Sequence, residues 1–72
     1  MEKQIRNILK ELLGEEAGRA GKLDDLREYG LDSVAFIQMV VALEDASGKE
    51  VSDEDLLLDN MNTIAKIQEA LR

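Results

Sequence analysis

The chain has 72 residues, 44% of them hydrophobic, and a net charge of −7 at pH 7, with no cysteine, histidine, proline or tryptophan. That length suits a single domain over residues 1–72 with a small core, since a chain this short buries only about 60% of its unfolded surface on folding. Without Cys or His there is no disulfide framework, no thiolate or imidazole metal site and no histidine general base, so no metal ligand and no catalytic residue is assigned and the chain is not expected to be an enzyme.

The charge is uneven. Residues 23–59 carry eleven carboxylates against Arg27 and Lys49, a net −9, while residues 1–22 and 60–72 are each net +1. Such a surface is a poor match for nucleic acid or anionic membrane and a better one for a basic protein surface, although charge by itself is explained more simply by solubility. No apolar run is long enough to span a bilayer and no signal-peptide pattern opens the chain, so it reads as cytoplasmic and, opening on Met1 with short ends, as a discrete monomeric protein.

Residues 2–13 form the first expected helix. Ile5, Ile8, Leu9, Leu12 and Leu13 recur at helical spacing, charged residues take the other face, and Gly14 ends the pattern. Residues 14–32 have no sustained period. Leu23, Leu26, Tyr29 and Leu31 are spaced as apolar pegs that pin a long loop, with a short helical turn near residues 24–28. A loop of that length in so small a domain is commonly functional.

Asp32 is placed to cap a second helix over residues 33–47, which Gly48 ends. Stepped at about 100° per residue from Ser33, Phe36, Met39, Val40 and Leu43 make one core stripe, and Val34, Ile37 and Val41 make a second beside Ser33. The combined apolar arc is about 220°, roughly twice what one packed face requires, so either this helix is central and buried on most sides or the second stripe is exposed for docking; in so small a bundle the exposed stripe is the expectation. Ser52 and Asp55, with Val51 and Leu56 as a staple, predict a short third helix over residues 53–58. The carboxylates there lack the glycine and bidentate Glu of a calcium loop. Asn62 or Thr63 caps a last helix with Ile64, Ile67 and Leu71 on its apolar side, and Arg72 would favour its C-terminus. The fold expected is all-α, a bundle of three main helices and one short one.

Asp32-Ser33-Val34 alone is weak, because Asp-Ser before an apolar residue commonly just caps a helix. In context it is stronger. Leu26 and Tyr29 lead into Gly30-Leu31-Asp32-Ser33, the run Phe36–Asp45 follows, then Gly48, Val51-Ser52-Asp53-Glu54-Asp55 and Asn62-Thr63-Ile64-Ala65-Lys66-Ile67. Together these resemble a discrete acyl or peptidyl carrier protein over nearly the whole chain.

The resemblance implies a four-helix bundle whose motif serine, here Ser33, takes a 4'-phosphopantetheine arm from coenzyme A through a separate phosphopantetheinyl transferase. The arm's thiol then carries an acyl or aminoacyl thioester between a loading ligase and downstream transfer enzymes. Asp32 matches the residue that helps the transferase recognise the motif, with metal binding in that complex. Val34, Ile37 and Val41, with Gln38, Glu44 and Asp45, are the expected partner-binding residues. Two departures stand out. The exposed positions early in the second helix, Ala35, Gln38 and Ala42, are not acidic as in carriers of fatty acid synthesis, which favours a specialised pathway of the nonribosomal peptide or polyketide type. Ser47 stands where relatives often have an aromatic residue, which weakens core closure at that end. The alternatives are a fatty-acid-synthesis carrier, or a helical adaptor that binds a partner through the second stripe with Ser33 serving only as a cap.

Overall fold

The computed structural model describes residues 2–71; Met1 and Arg72, and with Arg72 the expected charge at the last helix end, lie outside them. Four helices form: α1 (Glu2–Leu13), the single turn α2 (Glu15–Gly18), α3 (Ser33–Ser47) and α4 (Ile64–Ala70). Three 3₁₀ turns, Leu26–Tyr29, Asp53–Asp55 and Leu58–Asn60, complete the regular structure, and no strand occurs among the described residues. The all-α bundle expected is therefore the fold observed. Its centre is built from Ile5 and Leu9 of α1, Leu26, Met39 and Leu43 of α3, Met61, and Ile64 and Ile67 of α4, all fully buried. No described helix is long and apolar enough to cross a membrane.

The expected bounds of the first two long helices hold, because apolar spacing and a terminal stop coincide there. Gly14 N–H bonds to the Lys10 carbonyl at 2.9 Å and Gly48 N–H to that of Glu44 at 2.9 Å, each closing a helix. Thr63 caps α4, its hydroxyl accepting from Lys66 N–H at 3.1 Å. Asn62 serves a different purpose, described below.

The connection from α1 to α3 is more ordered than its sequence suggests. Glu15–Gly18 makes a helical turn packed on α1 rather than plain loop. Gly18 permits the approach: a Cβ there would lie 3.0 Å from Lys10 Cβ and 3.1 Å from the Arg6 carbonyl oxygen. The Arg6 guanidinium then donates to the Gly18 and Ala20 carbonyls, at 3.2 and 2.7 Å, which satisfies the end of the turn. Further on, Leu26 N–H bonds to the buried Asn62 carbonyl at 2.7 Å, Ala65 N–H to the Lys22 carbonyl at 3.1 Å, and Leu31 N–H to the Leu26 carbonyl at 3.1 Å. Leu26 and Leu31 are buried and Tyr29 half-buried, as pegs should be.

Leu23 is a correction. It is 82% exposed and pins nothing. The backbone turns it outward, because Asp24 closes a tight turn on Gly21, accepting from Gly21 N–H at 2.9 Å while its own N–H reaches the Gly21 carbonyl at 3.1 Å. The short helix expected over residues 53–58 is a second correction. It splits into the two 3₁₀ turns Asp53–Asp55 and Leu58–Asn60, with Leu56 and Leu57 between them. Ser52 does not cap a backbone N–H; its hydroxyl donates to Asp55 Oδ2 at 3.0 Å. Three successive carboxylates on so short a segment do not offset the cost of starting an α-helix.

Candidate functional site: a serine at a helix start

Ser33 is the first residue of α3 and is exposed. Asp32, in extended backbone, performs the capping: its Oδ1 accepts from Ala35 N–H at 2.8 Å, and its carbonyl accepts from Phe36 N–H at 2.7 Å. Because Asp32 holds the cap, the Ser33 hydroxyl is left without a hydrogen-bond partner among the described residues, and it faces solvent. Just upstream, Gly30 takes φ 102°, in the left-handed region that favours glycine, and turns the chain from the 3₁₀ turn toward Leu31, whose burial fixes the approach to Ser33.

An anion attached at this hydroxyl would meet the free N–H groups of a 15-residue helix, whose N-terminus carries roughly half a positive charge. The site therefore fits a negatively charged substituent. It does not fit self-catalysed chemistry. The one carboxylate adjacent in sequence, Asp32, is turned onto a backbone N–H, and an alcohol without a base is a weak nucleophile. Among the described residues no group of three His, Cys, Asp or Glu side chains is placed to hold a metal ion.

Along α3 the two apolar stripes separate cleanly. Phe36, Met39, Val40 and Leu43 are buried, whereas Val34, Ile37 and Val41 are 67%, 63% and 54% exposed. Between them lies an apolar groove of about 250 Å³, lined by Phe36, Ile37, Val40, Val41 and Leu56. Gln38 and Asp45 are exposed on the same helix. Glu44 is only half-exposed, because its carboxylate accepts from Val51 N–H at 2.9 Å and ties the chain beyond Gly48 back to α3. Ala35 and Ala42, expected at the surface, are half-buried; Ala35 packs against the core. Ser47, in place of an aromatic residue, is half-buried and accepts from Lys49 N–H at 3.2 Å, while the Lys49 ammonium donates to the Leu71 carbonyl at 2.9 Å, so polar bonds close that end.

The 3₁₀ turn that leads toward α3 is also held by charge. Arg27 donates to Asp25 at 2.8 Å and to Asp59 at 2.8 Å, clipping the 3₁₀ turn to the segment before α4. The Arg27 hydrogen bonds, with a smaller contribution from the Asn62 side chain, hold the Asp25 carboxyl well below its ordinary 3.8. Asn62 also accepts from the Lys66 ammonium at 3.0 Å. Nothing in the sequence marks Asn62 or Arg27 for this role, since Arg27 also needs Asp59, 32 residues on, and Asn62 binds Leu26 from the far side of α3 in the chain. Leu57, 59% exposed, and Leu56 in the groove lie outside the α3 periodicity, and the run Leu56-Leu57-Leu58 is the signal the sequence carries for them.

The geometry agrees with what the chain is similar to. A family model described as a phosphopantetheine attachment site matches residues 3–71. A D-alanyl carrier protein of Abiotrophia defectiva is 29% identical over 68 residues, covering 93% of this chain and 86% of that protein. No solved structure matches the chain significantly.

Proposed function

Because the chain belongs to the family of phosphopantetheine attachment domains, we propose that Ser33 is the residue that takes the 4'-phosphopantetheine arm and that residues 1–72 make one aminoacyl carrier domain. The observation that carries this is the Ser33 hydroxyl itself, exposed at the head of α3 and released from capping by Asp32. The attachment chemistry belongs to a transferase. Ser33 Oγ bonds to the phosphorus of coenzyme A that bears pantetheine, the bond from that phosphorus to adenosine 3',5'-bisphosphate breaks, and the hydroxyl proton passes to a base of the transferase. Once attached, the arm supplies a thiol that holds cargo as a thioester, chemistry this cysteine-free chain cannot supply alone.

An aminoacyl cargo is supported by the likeness to a D-alanyl carrier protein. It also suits the acidic stretch around Ser33, which attracts rather than repels the ammonium of an aminoacyl thioester. Docking of the loading ligase and of later enzymes is assigned to Val34, Ile37 and Val41, with Gln38 and Asp45 at their border. Glu44 contributes less, since its carboxylate is committed to Val51. The apolar character of this strip favours a specialised pathway over fatty acid synthesis. On this reading the protein works in the cytoplasm as a monomer and performs no chemistry of its own.

The test is intact mass after incubation with coenzyme A and a broad-specificity phosphopantetheinyl transferase. The wild type should gain one phosphopantetheinyl group and Ser33→Ala none. No gain in the wild type, or the same gain in the variant, overturns the assignment.

A further inference from the structure

Leu23 is 82% exposed, the most exposed of the large hydrophobic side chains among the described residues. The turn that presents it is braced on several sides. Asp24 accepts from Gly21 N–H at 2.9 Å and from the Tyr29 hydroxyl at 3.0 Å, and the Lys22 carbonyl accepts from Ala65 N–H at 3.1 Å. The same end of α4 holds the path to Ser33, since Asn62 binds Leu26 N–H and the Leu26 carbonyl binds Leu31 N–H just before Asp32. The turn that carries Leu23 and the path to Ser33 are thus both hydrogen-bonded to the start of α4 and the residues just before it.

The surroundings of Leu23 are acidic. Asp24, next to Leu23 in the chain, accepts from the Tyr29 hydroxyl at 3.0 Å; that bond, then burial of the phenol, then the charges of Asp24, Glu28 and Glu16 raise the Tyr29 pKa above the usual phenol value. The cations on either side are already paired, Lys22 with Glu2 at 3.1 Å and Arg27 with Asp25 and Asp59. An exposed leucine followed by Asp24 and Asp25, one hydrogen bond from a tyrosine that feels Glu16 and Glu28, complements an apolar cup on a basic surface.

Resting on the reading that Ser33 takes the arm, we propose that Leu23 and its neighbouring carboxylates form a second anchor, beyond the α3 strip, for the phosphopantetheinyl transferase. The transferase is the partner that needs a rigid anchor. It must bring the Ser33 oxygen itself into its active site, where small misplacement is costly. Later enzymes meet cargo at the end of a long mobile arm and gain less from an anchor tied to the Ser33 backbone.

The test is transferase kinetics with coenzyme A, varying the apo-carrier. Leu23→Ser should raise KM for the carrier about tenfold with kcat unchanged, the order expected for losing one buried leucine contact. Leu23→Met should stay within about twofold. Glu16→Gln with Glu28→Gln should raise KM at low salt and not at high salt. A KM for Leu23→Ser within about twofold of wild type overturns the proposal, as does an equal rise in Leu23→Met or no rise in the double variant at low salt. If the wild type accepts no arm at all, the function proposed for Ser33 fails first, and the two failures are distinguishable.

Discussion

Two stripes of similar residues run along α3 and meet opposite fates. Phe36, Met39, Val40 and Leu43 are sealed in the core, while Val34, Ile37 and Val41, just as apolar, stand in water beside Ser33. The second stripe adds little to folding, because burial is what converts apolar area into stability. What the pair teaches is that a helix apolar on both sides need not be central. One side closes the bundle and the other stands in water, where the proposed docking would take place.

The largest effect should come from the buried side. Leu43→Ala should cost about 2–5 kcal/mol in denaturant unfolding, the range for removing a fully buried leucine. A loss below about 1 kcal/mol would mean that the core collapses around the gap and that the contrast between stripes is weaker than their burial suggests.

Next comes Val41→Asp on the exposed side. It should change stability by no more than about 0.5 kcal/mol, as surface substitutions do, while reducing cargo transfer to partner enzymes about tenfold, the size of one lost interfacial contact. Unchanged transfer would remove the docking role from this stripe.

Charge should sharpen the comparison least, since it holds the turn before α3 without belonging to either stripe. Arg27 holds Asp25 below its ordinary 3.8, and hydrogen bonds from Arg6 and then Lys22 hold Glu2 below its ordinary 4.5. A carboxyl with a depressed folded pKa binds fewer protons folded than unfolded in that region. Its contribution is therefore present above the ordinary value and lost as the pH falls below it. Solvent screens these half-exposed pairs, so the effect is small. Arg27→Gln should lower the urea midpoint slightly at pH 6 and by less at pH 3; an equal loss at both would assign the effect to packing instead of charge.

The sequence made the long helices legible because local signals agree there. Apolar spacing, Gly14, Asp32 and Gly48 bound α1 and α3 where the structure does, and the width of the apolar arc on α3 foreshadowed the exposed stripe. Ser33 could be singled out for the same reason, as a hydroxyl at a capped helix start within a wider pattern. What stayed hidden depends on partners distant in the chain. α2 exists because Arg6 reaches the Gly18 and Ala20 carbonyls. Leu23 looked like a peg by spacing, yet the direction of its side chain is set by the turn on Gly21, which hydrophobic periodicity does not encode. The segment 53–58 carries helix-start chemistry but too few residues to use it.

The long connection before α3 has one more consequence. Its amides at Leu26 and Leu31 are bonded to Asn62 and within the loop, and the Ala65 amide is bonded back to Lys22. A segment attached in this way cannot open on its own. Loop and α4 should unfasten as one cooperative unit, with protection of the Leu26 amide rising and falling with that of α4, so that the least regular stretch of the chain shares the lifetime of a helix.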